Sequence, residues 1–159
     1  MGILFLSVML LSFGCDNNDD LSKGDNVINM GNDNPDISLT GTKWKLTTFV
    51  NASEGTTKTP ETFSHIPYDC YWIQFNDDNT CEGRSSSNLL PGRYSVDSAS
   101  SEILITVGAA TEIAEKPDGE EFIDKLNRVH TFVIQESSLM LYHNEKDYLL
   151  FDIYDNEKE

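Results

Sequence analysis

From Leu39 onward the chain alternates apolar and polar positions with a period close to two, the mark of half-buried strands. Trp44, Leu46 and Thr48 fall on one face of a first strand; Lys43, Lys45 and Thr47 fall on the other. Asn51 to Pro67 is rich in Thr, Ser, Gly and Pro and reads as a long loop. Tyr71 to Phe75 reads as a strand, Asn76 to Thr80 as a turn, and Cys81 onward as the return strand. Pro91-Gly92 predicts a turn before a short strand, Arg93 to Val96. Ile103 to Val107, His130 to Gln135, Ser138 to His143 and Tyr148 to Tyr154 complete the set, with tight turns at Glu136-Ser137 and Asn144 to Asp147.

One segment breaks this rhythm. Asp118 to Arg128 places Phe122, Leu126 and Val129 at helical spacing. Asp118 followed by Glu121 fits an N-terminal capping box, and Lys125 and Arg128 suit the negative end of a helix dipole. The pattern predicts a mainly β fold: a small antiparallel barrel-like domain of seven or eight strands with one helix packed on it.

The first residues follow another pattern. Ile3 to Phe13 is an unbroken run of eleven apolar and small residues, ending in Gly14-Cys15. As a helix it spans roughly 16 Å, about half of a bilayer core of about 30 Å, so it fits a secretion signal better than a membrane span. Leu11-Ser12-Phe13-Gly14-Cys15 resembles a lipobox, the site where bacterial lipoproteins are cleaved and acylated on cysteine. Asp16 to Ser38 is dominated by Asp, Asn, Gly and Ser, and such a segment buries too little apolar surface to offset its ordering entropy. It reads as a tether with a root-mean-square reach of about 26 Å. Its opening, Asp16-Asn17-Asn18-Asp19-Asp20, resembles the surface-export signal of Bacteroidetes lipoproteins. The expected organisation is a signal peptide at 1–14, lipidated Cys15 and acidic tether at 15–38, a β domain at 39–155 and an acidic tail at 156–159.

Charge then narrows the partners. A formal net charge of −16 repels phosphate backbones, which excludes nucleic acid. The expected contacts are a membrane, through acyl chains on Cys15, and either a protein partner or a small apolar ligand. Cys70 and Cys81 are the remaining cysteines. The predicted hairpin sets Cys81 near Phe75 and Cys70 near Ser86, roughly 13 Å apart along the ladder, whereas a disulfide needs Cα atoms within about 7 Å. A bulge or another register would bring them together.

No catalytic arrangement emerges. His65, His130 and His143 have no Cys or His at metal-ligand spacing, although His130 shares the parity of Phe132 and Ile134. Ser85-Ser86-Ser87 lies outside any Gly-x-Ser-x-Gly elbow and reads as a strand end and loop. Asp33-Asn34-Pro35-Asp36 and Asp77-Asp78-Asn79 lack the spacing of a calcium loop and suit turns instead. No catalytic residue, metal or cofactor is expected.

Several short pieces, in order, resemble the META-domain family of HslJ-like bacterial lipoproteins. They are Leu39-Thr40-Gly41-Thr42-Lys43-Trp44-Lys45-Leu46, then Gly83, Asn88, Gly92 and Tyr94, then Thr111-Glu112-Ile113-Ala114. The helix with Phe122 and Leu126 follows, then Leu139-Met140-Leu141 and Tyr148-Leu149-Leu150-Phe151. The chain departs from that family where cysteines are usual: Ser86-Ser87-Asn88 and Glu115 stand there. The resemblance implies a calycin-like barrel in the cell envelope, on an outer-membrane lipoprotein, with a non-enzymatic binding or stress-related role. A lipocalin-like carrier of a small ligand and an acidic inhibitor or adaptor of a basic protein are the alternatives.

Overall fold

The computed structural model describes residues 37–61, 69–97, 99–111 and 113–154. The signal peptide, Cys15, the tether up to residue 36, His65, the Asp33–Asp36 cluster and the acidic tail lie outside the described residues. The elements are β1 (Lys43–Asn51), β2 (Thr56–Lys58), β3 (Trp72–Phe75), β4 (Thr80–Arg84), β5 (Leu89–Asp97), β6 (Glu102–Val107), α1 (Gly119–Leu126), β7 (Thr131–Gln135), β8 (Ser138–Tyr142) and β9 (Tyr148–Ile153). The fold is mainly β: one antiparallel sheet of nine strands closes in a ring, because β1 pairs with β9 as well as with β2 and β3.

The alternation read in the sequence maps onto an apolar interior. Ile103, Ile105 and Val107 face inward from β6; Leu139 and Leu141 face inward from β8, and Leu149 and Phe151 from β9. Trp44, Phe75, Phe122 and Phe151 are fully buried, so bulky side chains fill the ring. The hairpin register matches expectation: Cys81 lies opposite Phe75 and Trp72 opposite Arg84. Both cysteines are buried and free.

Four local expectations are corrected. A bulge between Leu46 and Thr48 shifts the parity of β1, so Phe49 rather than Thr48 joins Trp44 and Leu46 inside. The stretch read as a loop holds the short β2, paired with the end of β1. Pro91-Gly92 is not a turn but the middle of β5. Pro91 is tolerated because its missing N–H falls just beyond the last β5–β6 rung, Gly92 with Val107, where its carbonyl accepts from Gly108 N–H (3.2 Å). Gly92 leaves room for the Thr106 carbonyl and the Val107 side chain, which a Cβ would strike. The expected capping box is absent as well. Asp118 takes a left-handed φ of 68° and makes no side-chain cap bond. Its carboxylate turns instead to Lys58 Nζ (2.7 Å) and the Glu61 N–H (2.8 Å), tying the β2 strap to the helix.

Helix α1 completes the ring where β6 and β7 part. Those strands share a single rung, Glu102 with Thr131. Beyond it, the side chain of Asn127 takes the place of a strand: its Oδ1 accepts from Val107 N–H (2.9 Å), and its Nδ2 donates to the Val107 carbonyl (3.1 Å). Phe122 and Leu126 are fully buried, and Phe122 meets Tyr71 edge-on at 5.8 Å between centroids. Burying each such side chain contributes about 1.5–3 kcal/mol.

Candidate functional site, a buried carboxylate cradle

Ser85 continues the inward parity of Cys81 and Gly83 along β4, so its hydroxyl points under the end of the ring and needs a partner. The segment from Gly108 to Asp118, which joins β6 to α1, crosses that end and supplies one. Ser85 Oγ donates to Glu115 Oε1 (2.6 Å), and Ser86 Oγ donates to Glu115 Oε2 (2.6 Å). Asn88 Nδ2 donates to Glu115 and to the Ile113 carbonyl (2.8 Å), and Thr111 Oγ1 donates to Asn88 Oδ1. In return Ser86 Oγ accepts from Lys116 N–H (2.9 Å), and Ser85 Oγ from Asn88 N–H (2.9 Å). Tyr71 donates to the Pro117 carbonyl (2.6 Å) at the edge of the cluster.

Ser85, Ser86 and Asn88 are buried, at 0%, 2% and 2% exposure, yet every polar side-chain group among them is engaged. Burial pushes the Glu115 carboxyl up. The bonds from Ser85, Ser86, Asn88 and the Ser87 backbone outweigh that and hold it below the usual glutamate range. The serine hydroxyl protons are both directed at that carboxylate. The donors of the cluster converge on one carboxylate. Gly119 lets α1 start here, since a Cβ would collide with the Glu115 carboxylate and Ser86 Oγ.

A second cluster lies on the outer face of β1, β3 and β4. Lys45, Trp72 and Arg84 stand directly opposite one another on three neighbouring strands. Lys43 Nζ sits 3.9 Å from the Trp72 ring centroid and 4.4 Å from that of Tyr154, and it pairs with Asp69 at 3.0 Å. Lys45 donates to the Cys70 carbonyl. Among the described residues, Trp72 Nε1 and Arg84 Nε are the buried side-chain nitrogens without a hydrogen-bond partner.

The other residues singled out from the sequence stay apart. His130 is exposed just before β7 and does not follow the parity of Phe132. His143 Nε2 lies 3.2 Å from Lys125 Nζ, and burial followed by that ammonium lowers its pKa. Asp78 accepts from the Thr80 N–H (3.0 Å), as turn chemistry requires. Among the described residues no group of three His, Cys, Asp or Glu is placed to hold a metal, and no helix is long and apolar enough to cross a membrane. Sequence reading missed Glu115 as a partner of the serines. The inward parity of Ser85 was the one signal that pointed to a buried acceptor.

Residues 32–153 match the family described as a domain of unknown function, DUF4847. A crystal structure of a DUF4847 family protein from Bacteroides vulgatus ATCC 8482 has a similar fold, with a TM-score of 0.54 and 17% identity. That match covers 74% of this chain and 96% of the neighbour. No curated protein matches the sequence. These matches overturn the resemblance to META-domain proteins. The pieces that carried it are short strand, turn and helix signatures, which unrelated small antiparallel rings also produce. The chain belongs to the DUF4847 family.

Proposed function

We propose that this protein is a lipid-anchored lipoprotein of the cell envelope, held on the outer membrane through acyl chains on Cys15, with a ring domain that binds rather than catalyses. The observation that carries the reading is Gly14-Cys15 at the end of an eleven-residue apolar run, followed by an acidic segment ahead of the domain. The family match supports that division, since it begins at residue 32, after most of the segment. The anchoring physics fits too: one acyl chain binds a membrane marginally, and each buried CH₂ adds about 0.8 kcal/mol, so several chains hold firmly. The interior supports a surface role over a small-ligand carrier, because Trp44, Phe75, Phe122 and Phe151 occupy the ring. A net charge of −16 favours, as a second reading, an adaptor or inhibitor that meets a basic protein.

Metabolic labelling with palmitate tests the anchor. Label enters the wild type and not Cys15→Ser; equal labelling of both sinks the reading. A pull-down from native envelope with the lipidated protein, against a tether-only control, tests binding. Recovery of neither a protein nor a small ligand by the domain sinks that part.

A further inference from the structure

We propose that the Ser85–Asn88 loop is a carboxylate receptor, occupied in cis by Glu115, and that a carboxylate from another molecule takes the same seat. The loop presents two hydroxyl donors and one side-chain amide around a single carboxylate. Convergent donors of that kind, on buried residues, are how proteins recognise a carboxylate. Ser85, Ser86 and Asn88 are fixed by their place between β4 and β5, whereas Glu115 rides on a segment with no helix or strand among its described residues.

The attachments of that segment are concentrated on the loop. Thr111 bonds Asn88, the Ile113 carbonyl accepts from Asn88, Lys116 N–H donates to Ser86, and Glu115 fills the centre. Outside the loop it is held by Gly108 to Pro91 and Ala110 to Leu89 at one end, and at the other by Tyr71 to Pro117 and by Asp118 to Lys58 and the Glu61 N–H. Displacing the carboxylate removes three of those bonds, from Ser85, Ser86 and Asn88, and so loosens the stretch from Thr111 to Lys116. The cis carboxylate competes at the high effective concentration of a tethered group, so an outside acid must present several contacts or be abundant. This gives a ligand class to the binding role proposed above and rests on that reading only for its purpose. Palmitate labelling reports on Cys15 and the cradle experiment does not, so the two fail separately.

The test uses the full chain carrying Cys15→Ser, with and without Glu115→Ala. Acetate is titrated against chloride at constant ionic strength while thermal unfolding is followed. Glu115→Ala is expected to lose stability in chloride and to regain part of it saturably in acetate. Adding Ser86→Ala is expected to abolish the regain. A folded Glu115→Ala protein indifferent to acetate overturns the proposal. Should that variant fail to fold in chloride, Glu115→Gln replaces it, with the same expectation at smaller amplitude and the same outcome counting against it. Hydrogen exchange of residues 109–116 is then followed in the Cys15→Ser protein with native Glu115. Two probes are compared: acetate, as a small acid, and a Glu-containing peptide with blocked termini, as a protein side chain. Faster exchange with either supports the proposal and tells the two sources apart. Unchanged exchange with both, alongside acetate rescue of Glu115→Ala, means that the seat serves only its own glutamate and overturns occupation in trans.

Discussion

The cradle at the end of the ring and the Trp72 face on its outside both gather polar groups around buried side chains, but they are held by opposite means. In the cradle each donor on Ser85, Ser86 and Asn88 meets an acceptor, and one carboxylate collects most of them. On the outer face, cations stack on rings, while Trp72 Nε1 and Arg84 Nε meet no acceptor. Hydrogen bonds are directional, so the cradle fixes where a passing segment must sit. Stacking is broad and tolerant, so the outer face shields a large aromatic without specifying a partner. The difference predicts where substitutions hurt.

Removing the hub of the cradle should have the largest effect. Glu115→Ala leaves the donors of Ser85, Ser86 and Asn88 under the ring end without their acceptor. An unsatisfied buried donor costs about 1–3 kcal/mol, and water entering beside the shortened side chain relieves part of the total. A loss of about 2–4 kcal/mol is expected in urea unfolding. A loss below about 0.5 kcal/mol, within the range of ordinary surface substitutions, removes the distinction between the two clusters.

Gly119→Ala is the next sharpest test, because its sign is informative. Alanine is the better helix former by about 1 kcal/mol, so an open site would gain stability. Here the new Cβ meets Glu115 and Ser86 Oγ, and a net loss of about 1–3 kcal/mol is expected. In a Glu115→Ala background the penalty should shrink, and a double-mutant cycle reads that coupling directly. Additive effects would mean that the helix start and the carboxylate are independent.

Much of the architecture was legible because it is local. Asn76 to Thr80 set the register of its hairpin, and the stripe of Phe122 and Leu126 announced the one helix. What escaped was set by distant partners. Nothing near Leu46 marks the bulge, which lies in the pairing of β1 with β9 at the far end of the chain. Asp118 reads as a helix cap until Lys58 and the Glu61 N–H, some sixty residues upstream, draw its carboxylate away. Ser85-Ser86-Ser87 was correctly placed at a strand end and loop, but its acceptor lies thirty residues downstream, in a stretch with no periodicity to place it.

Acid should weaken the cradle. The folded pKa of Glu115 is depressed, so its contribution is fully present above the unfolded value of about 4.3. It is lost as pH falls through the folded pKa. Urea midpoints of the wild type and Glu115→Gln, followed from about pH 6 to pH 3, should converge as the pH falls. Asp78 and Asp147 also have depressed values, but they are common to both proteins and cancel in the difference. A gap that stays constant with pH would mean that the charge of Glu115 adds nothing to its hydrogen bonds.

The smallest effect is expected on the outer face, and it gives the cleanest contrast. Trp72→Phe deletes an indole N–H that meets no acceptor, and it keeps an aromatic surface under the Lys43 ammonium. Some apolar contact is lost with the second ring, but the desolvated, unpaired donor goes with it. The two terms oppose, so the net change should be about 1 kcal/mol or less. Lys43→Ala provides the control. It removes the cation and its pairing with Asp69, which together contribute on the order of 1 kcal/mol, and it uncovers the Trp72 ring to acrylamide quenching. If Trp72→Phe instead costs as much as Glu115→Ala, its N–H has an acceptor in solution. The outer face would then be a second directional site, and the contrast with the cradle would fall.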